Sequence, residues 1–129
     1  STNFWEWYGS NIIYKVGEGE DLCMSDINLY NVVWGMFAPR IKYDKLIRIK
    51  ANFYPYTETI KEHAPHRDYD FEHAGAVYSL NTCDGYTRIE NQRVDSVENR
   101  MVFFNASKLH NSTTTSNAKG RFNINFNFL

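Results

Sequence analysis

Residues 121–128 alternate without exception: Arg121, Asn123, Asn125 and Asn127 are polar, while Phe122, Ile124, Phe126 and Phe128 are apolar. Successive strand residues point to opposite faces of a sheet, so the run predicts a β-strand with one polar and one apolar face. On periodicity alone the preferred reading is a sheet with one face in water; a polar face turned into the mouth of a barrel gives the same pattern. A second run has the same period: Ile47, Ile49, Ala51 and Phe53 alternate with Arg48, Lys50, Asn52 and Tyr54 until Pro55 stops it. Further strands are predicted over 74–81, 86–90 after the Asp84-Gly85 turn, 101–105 and 109–114. One helix is predicted, capped by Ser25 or Asp26, with Ile27, Tyr30, Val33, Trp34 and Phe37 at three- and four-residue spacing, and ended by Pro39. Many short strands and one early helix imply a mainly β fold, a double-sheet jelly roll with a supporting helix in the N-terminal third.

At 129 residues the chain is expected to form one domain, 1–129, with 1–44 as a supporting segment and 45–129 as the jelly-roll core. Phe4, Trp5, Trp7 and Tyr8 form an aromatic opening segment expected to pack on the main body, and residues 17–21 read as a polar loop. A net charge of −1 gives no global pull toward nucleic acid or an anionic membrane. No apolar run approaches the roughly 20 residues that span a bilayer, and no export signal is visible. Cys23 and Cys83 are too few for a disulfide framework, which favours reduced thiols and a cytoplasmic location. Glycosylation-type triplets at Asn105 and Asn111 read as chance matches in an Asn-rich chain.

The chemistry-bearing residues are His66 and Asp68, then His110, then Arg121. Positions i and i+2 of a strand share a face, so His66 and Asp68 offer an imidazole and a carboxylate side by side, and His110 can complete the set from a later strand. Two histidines and a carboxylate on one side of an iron are the ligand set of non-heme Fe(II) oxygenases. Arg121 supplies a guanidinium fork for the distal carboxylate of a keto-acid co-substrate. Blander readings compete. With 15 acidic residues in 129, one His-x-Asp is close to a coin toss. His63 and His73 read as ordinary solvated or hydrogen-bonded histidines; a zinc site from His63, His66 and His73 lacks Cys pairs or a His-Glu-x-x-His helix.

With strands and ligands in place, the chain resembles the Fe(II)- and 2-oxoglutarate-dependent oxygenases, in their prolyl-4-hydroxylase-like branch. The resemblance covers about 46–129 and rests on RIKANFYPYTETIKEHAPHRD, AVYSLNTCDGYTRIE, NRMVFFNASKLHNSTTT and GRFNINFNF, in the family's order. It implies that His66, Asp68 and His110 hold Fe(II) and that Arg121 holds the far carboxylate of 2-oxoglutarate. It also implies that Tyr54 and Tyr78 contact the co-substrate, with Tyr56 as the substitute for Tyr54. Asn52-x-Tyr54 and Arg121-x-Asn123 look like phrases of the nucleic-acid demethylase branch, but Asn127 stands where that branch carries a second arginine. Small versions rich in Asn, Tyr and Phe look like those encoded by bacteriophages, which would place the protein in a host cytoplasm.

The resemblance implies a dioxygenase that uses Fe(II), 2-oxoglutarate and O2, with ascorbate in support, and releases succinate and CO2. Asp68 favours hydroxylation over halogenation, because halogenating relatives replace the carboxylate. The implied substrate is a prolyl residue of a peptide or protein, with 56–65 and 91–99 as candidate walls of a peptide groove. Scattered, balanced basic residues argue against nucleic acid as partner. Rival readings are a demethylase of the same superfamily, a non-catalytic metal-binding jelly-roll module, and a zinc-dependent hydrolase or isomerase on the same fold.

Overall fold

The computed structural model describes residues 8–17 and 22–129. Phe4, Trp5 and Trp7 of the aromatic opening segment, and 18–21 of the polar loop, lie outside the described residues.

The described strands are β1 (Gly9–Val16), β2 (Leu22–Cys23), β3 (Leu46–Pro55), β4 (Ala74–Ser79), β5 (Tyr86–Ile89), β6 (Gln92–Asp95), β7 (Met101–Asn105), β8 (His110–Ser112) and β9 (Gly120–Phe128). They form a six-stranded sheet, β2-β1-β3-β9-β4-β7, and a three-stranded sheet, β6-β5-β8. All ladders between them are antiparallel. The architecture is the expected one: mainly β, in a jelly roll, with one short helix. No helix of the described residues is long and apolar enough to cross a membrane.

The helix, α1 (Ile27–Phe37), starts at Asp26, whose carboxylate accepts from the backbone N–H groups of Asn28 (2.8 Å) and Leu29 (3.1 Å). Those donors have no partner within the helix, so the cap satisfies them. Pro39 falls in a short 3-10 turn, Ala38–Arg40, which ends the helix as expected. Val33 and Phe37 are buried against the large sheet, where the Phe37 ring lies 5.1 Å from Phe126 and 4.7 Å from Tyr78. Ile27, expected on the buried face, is exposed at the first turn. The core cluster joins Val33 and Phe37 to Ile13, Ile41, Leu46, Ile49, Ala76, Ile124, Phe126 and Phe128. Burying one such side chain fully is worth about 1.5–3 kcal/mol.

The face of β9 opposite the core departs from the preferred reading of its sequence. Arg121, Asn123, Asn125 and Asn127 are all buried. They face inward, because one side of the sheet is covered by α1 while the small sheet and the segment before β4 fold over the other. The β3–β9 register pairs Arg48 with Asn127, Lys50 with Asn125, Asn52 with Asn123 and Tyr54 with Arg121. Four polar rungs thus line the inside of the roll.

Candidate metal centre

His66 is held to β8 by a single antiparallel bridge: its backbone N–H donates to His110 O at 2.9 Å, and the His110 N–H donates back at 3.0 Å. The Asp68 N–H donates to Ala106 O at 3.2 Å. The strand expected through His66 and Asp68 is therefore not a regular strand. Pro65 brings no N–H to a ladder, and the chain there makes isolated bridges only. The extended backbone still delivers both side chains to one place.

Ligating atoms of His66, Asp68 and His110 lie within 4.8 Å of one another, the cluster of this kind found among the described residues. Asp68 Oδ1 is 3.2 Å from Nε2 of each histidine. His110 Nδ1 lies 2.8 Å from Lys108 O; a proton donated there leaves the Nε2 lone pair for a metal. Asp68 Oδ2 accepts from Asn127 Nδ2 at 2.8 Å and from Asn125 Nδ2 at 3.4 Å, while Arg48 donates to Asn127 Oδ1 at 3.0 Å and stands 3.8 Å from Asp68 Oδ1. Burial of Asp68 favours its neutral form, but hydrogen bonds from His110, His66 and Asn127 outweigh this and hold its carboxyl well below the usual carboxylate range. The Asp68 side chain is 2% exposed and that of His66 is 50% exposed, so the cluster has a closed side and an open one.

A cavity of about 430 Å³ opens beside the cluster, lined among others by Lys50, Asn52, Tyr54, His66, His110 and Asn123. Behind it lies Arg121, 1% exposed. Its guanidinium donates to Ser112 Oγ, to Thr113 O (3.3 Å) and to Thr87 Oγ1 (2.9 Å), and sits 5.3 Å from the Tyr54 ring. Its Nε has no partner, and no carboxylate among the described residues pairs with it. Burial pushes its pKa down, as expected of a cation held without a counter-charge. Gly85 makes room for it: a Cβ there would stand 2.6 Å from Arg121 Cδ and 2.8 Å from Thr114 O.

The other expected site residues divide. Tyr54 lines the cavity, where burial pushes its phenol up against the opposing pull of Ser112 and Arg121. Tyr56 is half exposed and does not line it. Asn52 and Asn123 are buried on the wall, bonded to each other at 2.9 Å. Tyr78 requires correction: its ring packs on Phe37 beneath α1, its hydroxyl donates to Asn99 Oδ1 at 2.6 Å, and its neighbour Val77 lines the cavity instead. Alternation along β4 leaves only one of these two positions facing inward.

His63, read as an ordinary histidine, also lines the cavity, 5.4 Å from the Tyr54 ring. His73 is buried, with Nδ1 2.8 Å from Phe71 O, and belongs to no metal cluster found among the described residues. Lys50, Asn125, Thr87, Asn111 and Ser112 line the cavity without having been singled out. Strand alternation could have grouped Lys50 and Asn125 with Asn52 and Asn123.

No model of a known protein family matches the sequence, and no curated protein matches it. Solved structures do resemble it. An oxidoreductase of the 2OG-Fe(II) oxygenase family from Burkholderia pseudomallei superposes with a TM-score of 0.62 at 14% identity, over 94% of this chain and 68% of that one. A prolyl hydroxylase from Trichoplax adhaerens, in complex with a hypoxia inducible factor oxygen degradation domain peptide fragment, gives 0.55 at 16% identity, over 98% and 66%. A prolyl-4-hydroxylase from Pseudomonas putida gives 0.52 at 15%, over 94% and 71%. At these identities the likeness establishes the fold, and the chain spans about two thirds of the length of these proteins.

Proposed function

We propose that this chain is an Fe(II)- and 2-oxoglutarate-dependent dioxygenase that hydroxylates a C–H bond, with a prolyl residue of a peptide or protein as its substrate. The observation that carries the reading is the juxtaposition of a His-Asp-His cluster, whose two histidines line the cavity, with a buried arginine behind the wall, bonded to the lining residues Ser112 and Thr87 and without an acidic partner among the described residues. A buried guanidinium without a counter-charge is costly unless a ligand supplies one. The donor set fits non-heme iron, and Arg121 fits the distal carboxylate of a keto acid.

In this reading His66, Asp68 and His110 hold the metal, with Asp68 kept ionised and oriented by Asn127. Arg121 anchors 2-oxoglutarate, Tyr54 packs over the guanidinium, and Asn52 and Asn123 form the polar wall between clamp and metal. When bound, iron(II), 2-oxoglutarate and O2 together supply the oxidant for C–H hydroxylation, with succinate and CO2 released. The catalytic unit is assigned to 45–129, with 1–44 in support. Folds of this kind serve the Burkholderia oxygenase and two prolyl hydroxylases, one of them seen with a peptide, which supports a peptidyl substrate. Against demethylation stands Asn127, whose amide is committed to Asp68 and Arg48 where a second arginine is expected.

The test offers proline-rich peptides and methylated single-stranded DNA or RNA in parallel, with Fe(II), 2-oxoglutarate, O2 and ascorbate. Mass spectrometry is expected to show one oxygen gained by a peptide, with succinate formed, and neither product with Asp68→Ala. Demethylation without peptide hydroxylation overturns the substrate, and full activity of Asp68→Ala overturns the metal site.

A further inference from the structure

The cavity holds a second cation that the reading above does not use. Lys50 lies on the wall, in the rung beside Asn125, and lines the same space as His66 and His110. Arg48 pairs with Asp68, Arg88 with Glu62 and Arg93 with Asp95, yet the Lys50 ammonium makes no hydrogen bond and no ion pair among the described residues. Its surroundings disfavour the charge: burial lowers its pKa first, Arg48 lowers it further, and Asp68 opposes both. Among the described residues, no aspartate or glutamate lines the cavity.

Charge balance points to what Lys50 meets. A divalent metal, Arg121 and the Arg48 beside Asp68 bring four positive charges, and Asp68 and 2-oxoglutarate bring three negative ones. The loaded pocket therefore has no negative charge left for Lys50, whose own charge stands unmatched in a partly buried site, where an unpaired ion is costly. We infer that Lys50 reads the substrate, pairing with a carboxylate that the oxidised molecule carries close to the reacting carbon. This rests on the dioxygenase reading and deepens it. A single ammonium is a point charge that one carboxylate matches. The carboxylate has two possible sources: the α-carboxylate of a free amino acid, or an acidic side chain beside the target residue of a peptide.

The test is a calorimetric titration of protein loaded with Zn(II), which is inert to turnover, and saturated with 2-oxoglutarate so that Arg121 is occupied. L-proline is compared with L-prolinamide, and proline peptides carrying a neighbouring Asp with the same peptides carrying Asn. The carboxylate member of at least one pair is expected to bind about tenfold or more tighter, the scale of one charge-assisted hydrogen bond. Which pair responds identifies the source. The preference is expected to vanish in Lys50→Met and to persist in Lys50→Arg, with Lys50→Gln as a second neutral variant. Absence of a preference in every pair, or a preference unchanged in both neutral variants, overturns the assignment. Binding of 2-oxoglutarate to the wild-type Zn(II) protein is measured separately. Failure there sinks the dioxygenase reading, whereas success there without a carboxylate preference sinks only the role of Lys50.

Discussion

A ligand cluster depends on the groups that hold its members, and at Asp68 that group is Asn127. Its amide joins the ligating carboxylate at 2.8 Å to the Arg48 guanidinium at 3.0 Å, so one side chain both orients Asp68 and connects it to a positive charge. Removing such outer partners typically costs 10–100-fold in metal affinity. Asn127→Ala is therefore expected to weaken Fe(II) or Co(II) binding by about that factor, with His66 and His110 untouched, as read by chelator competition. Unchanged affinity would mean that Asn127 does not position the carboxylate. The ligands themselves were legible in the sequence as residue types at a spacing that the family resemblance completed. Asn127 was legible only as a missing arginine, because a sequence does not show what a buried amide bonds to. Tyr78 failed for a related reason: a phrase marks a strand, but one step of register decides whether Tyr78 or Val77 faces the cavity.

The segment between β3 and β4, which carries His66, has no continuous ladder and is held to the small sheet by isolated backbone bridges to β8 and by the side chain of Glu62. That carboxylate accepts from Arg88 Nε (2.9 Å) and Nη2 (3.0 Å), from Asn111 Nδ2 (2.9 Å) and from the Tyr86 hydroxyl (2.8 Å). Arg88 first, then Asn111, against a smaller opposing effect of burial, bring its pKa from 4.5 down to about 2. A folded-state pKa below the unfolded one means that the unfolded chain binds more protons in this window. The stabilisation by Glu62 is therefore complete above about pH 4.5 and is lost as the pH falls through about 2. Denaturant titrations from pH 5 to 2 are expected to show wild type losing more stability than Glu62→Gln; parallel curves would remove Glu62 as a fastening. Elements were read well where the period was regular, as in β9 and in β3 from Arg48 onward. They were missed where it broke. In β1 a register shift between Ile12 and Tyr14 spoils the alternation, and the turn into β6 uses Glu90 at φ 55° instead of a glycine. A similar shift between Leu46 and Arg48 puts Leu46 in the core cluster and leaves Ile47 out of it.

Across the whole molecule, the sheet is apolar on the side of α1 and polar on the side of the cavity, and both sides are buried. Hydrophobic periodicity distinguishes the two faces of β9 but does not reveal whether the polar one meets bulk water or an enclosed site, which is why the water-facing reading failed. The enclosed polar face costs stability: Arg121 Nε, Asn52 Oδ1 and Asn125 Oδ1 are buried without partners. Arg121 is the most expensive of these, because a buried charge without a counter-ion is a net penalty and an apolar replacement of similar volume is often neutral or stabilising. Ligand-free Arg121→Met is accordingly expected to be at least as stable as wild type in urea. The sign should reverse with co-substrate. In the presence of Zn(II), 2-oxoglutarate at a hundred times its wild-type Kd should stabilise wild type by about 2.7 kcal/mol. Losing the buried charge-assisted contact weakens binding by about 30-fold or more, which leaves the variant less than about 1 kcal/mol of stabilisation at the same concentration. Equal stabilisation of both proteins would place the carboxylate clamp elsewhere. A stability gain without ligand, coupled to a loss with it, would mark Arg121 as a residue that the fold carries at a cost for the sake of its ligand.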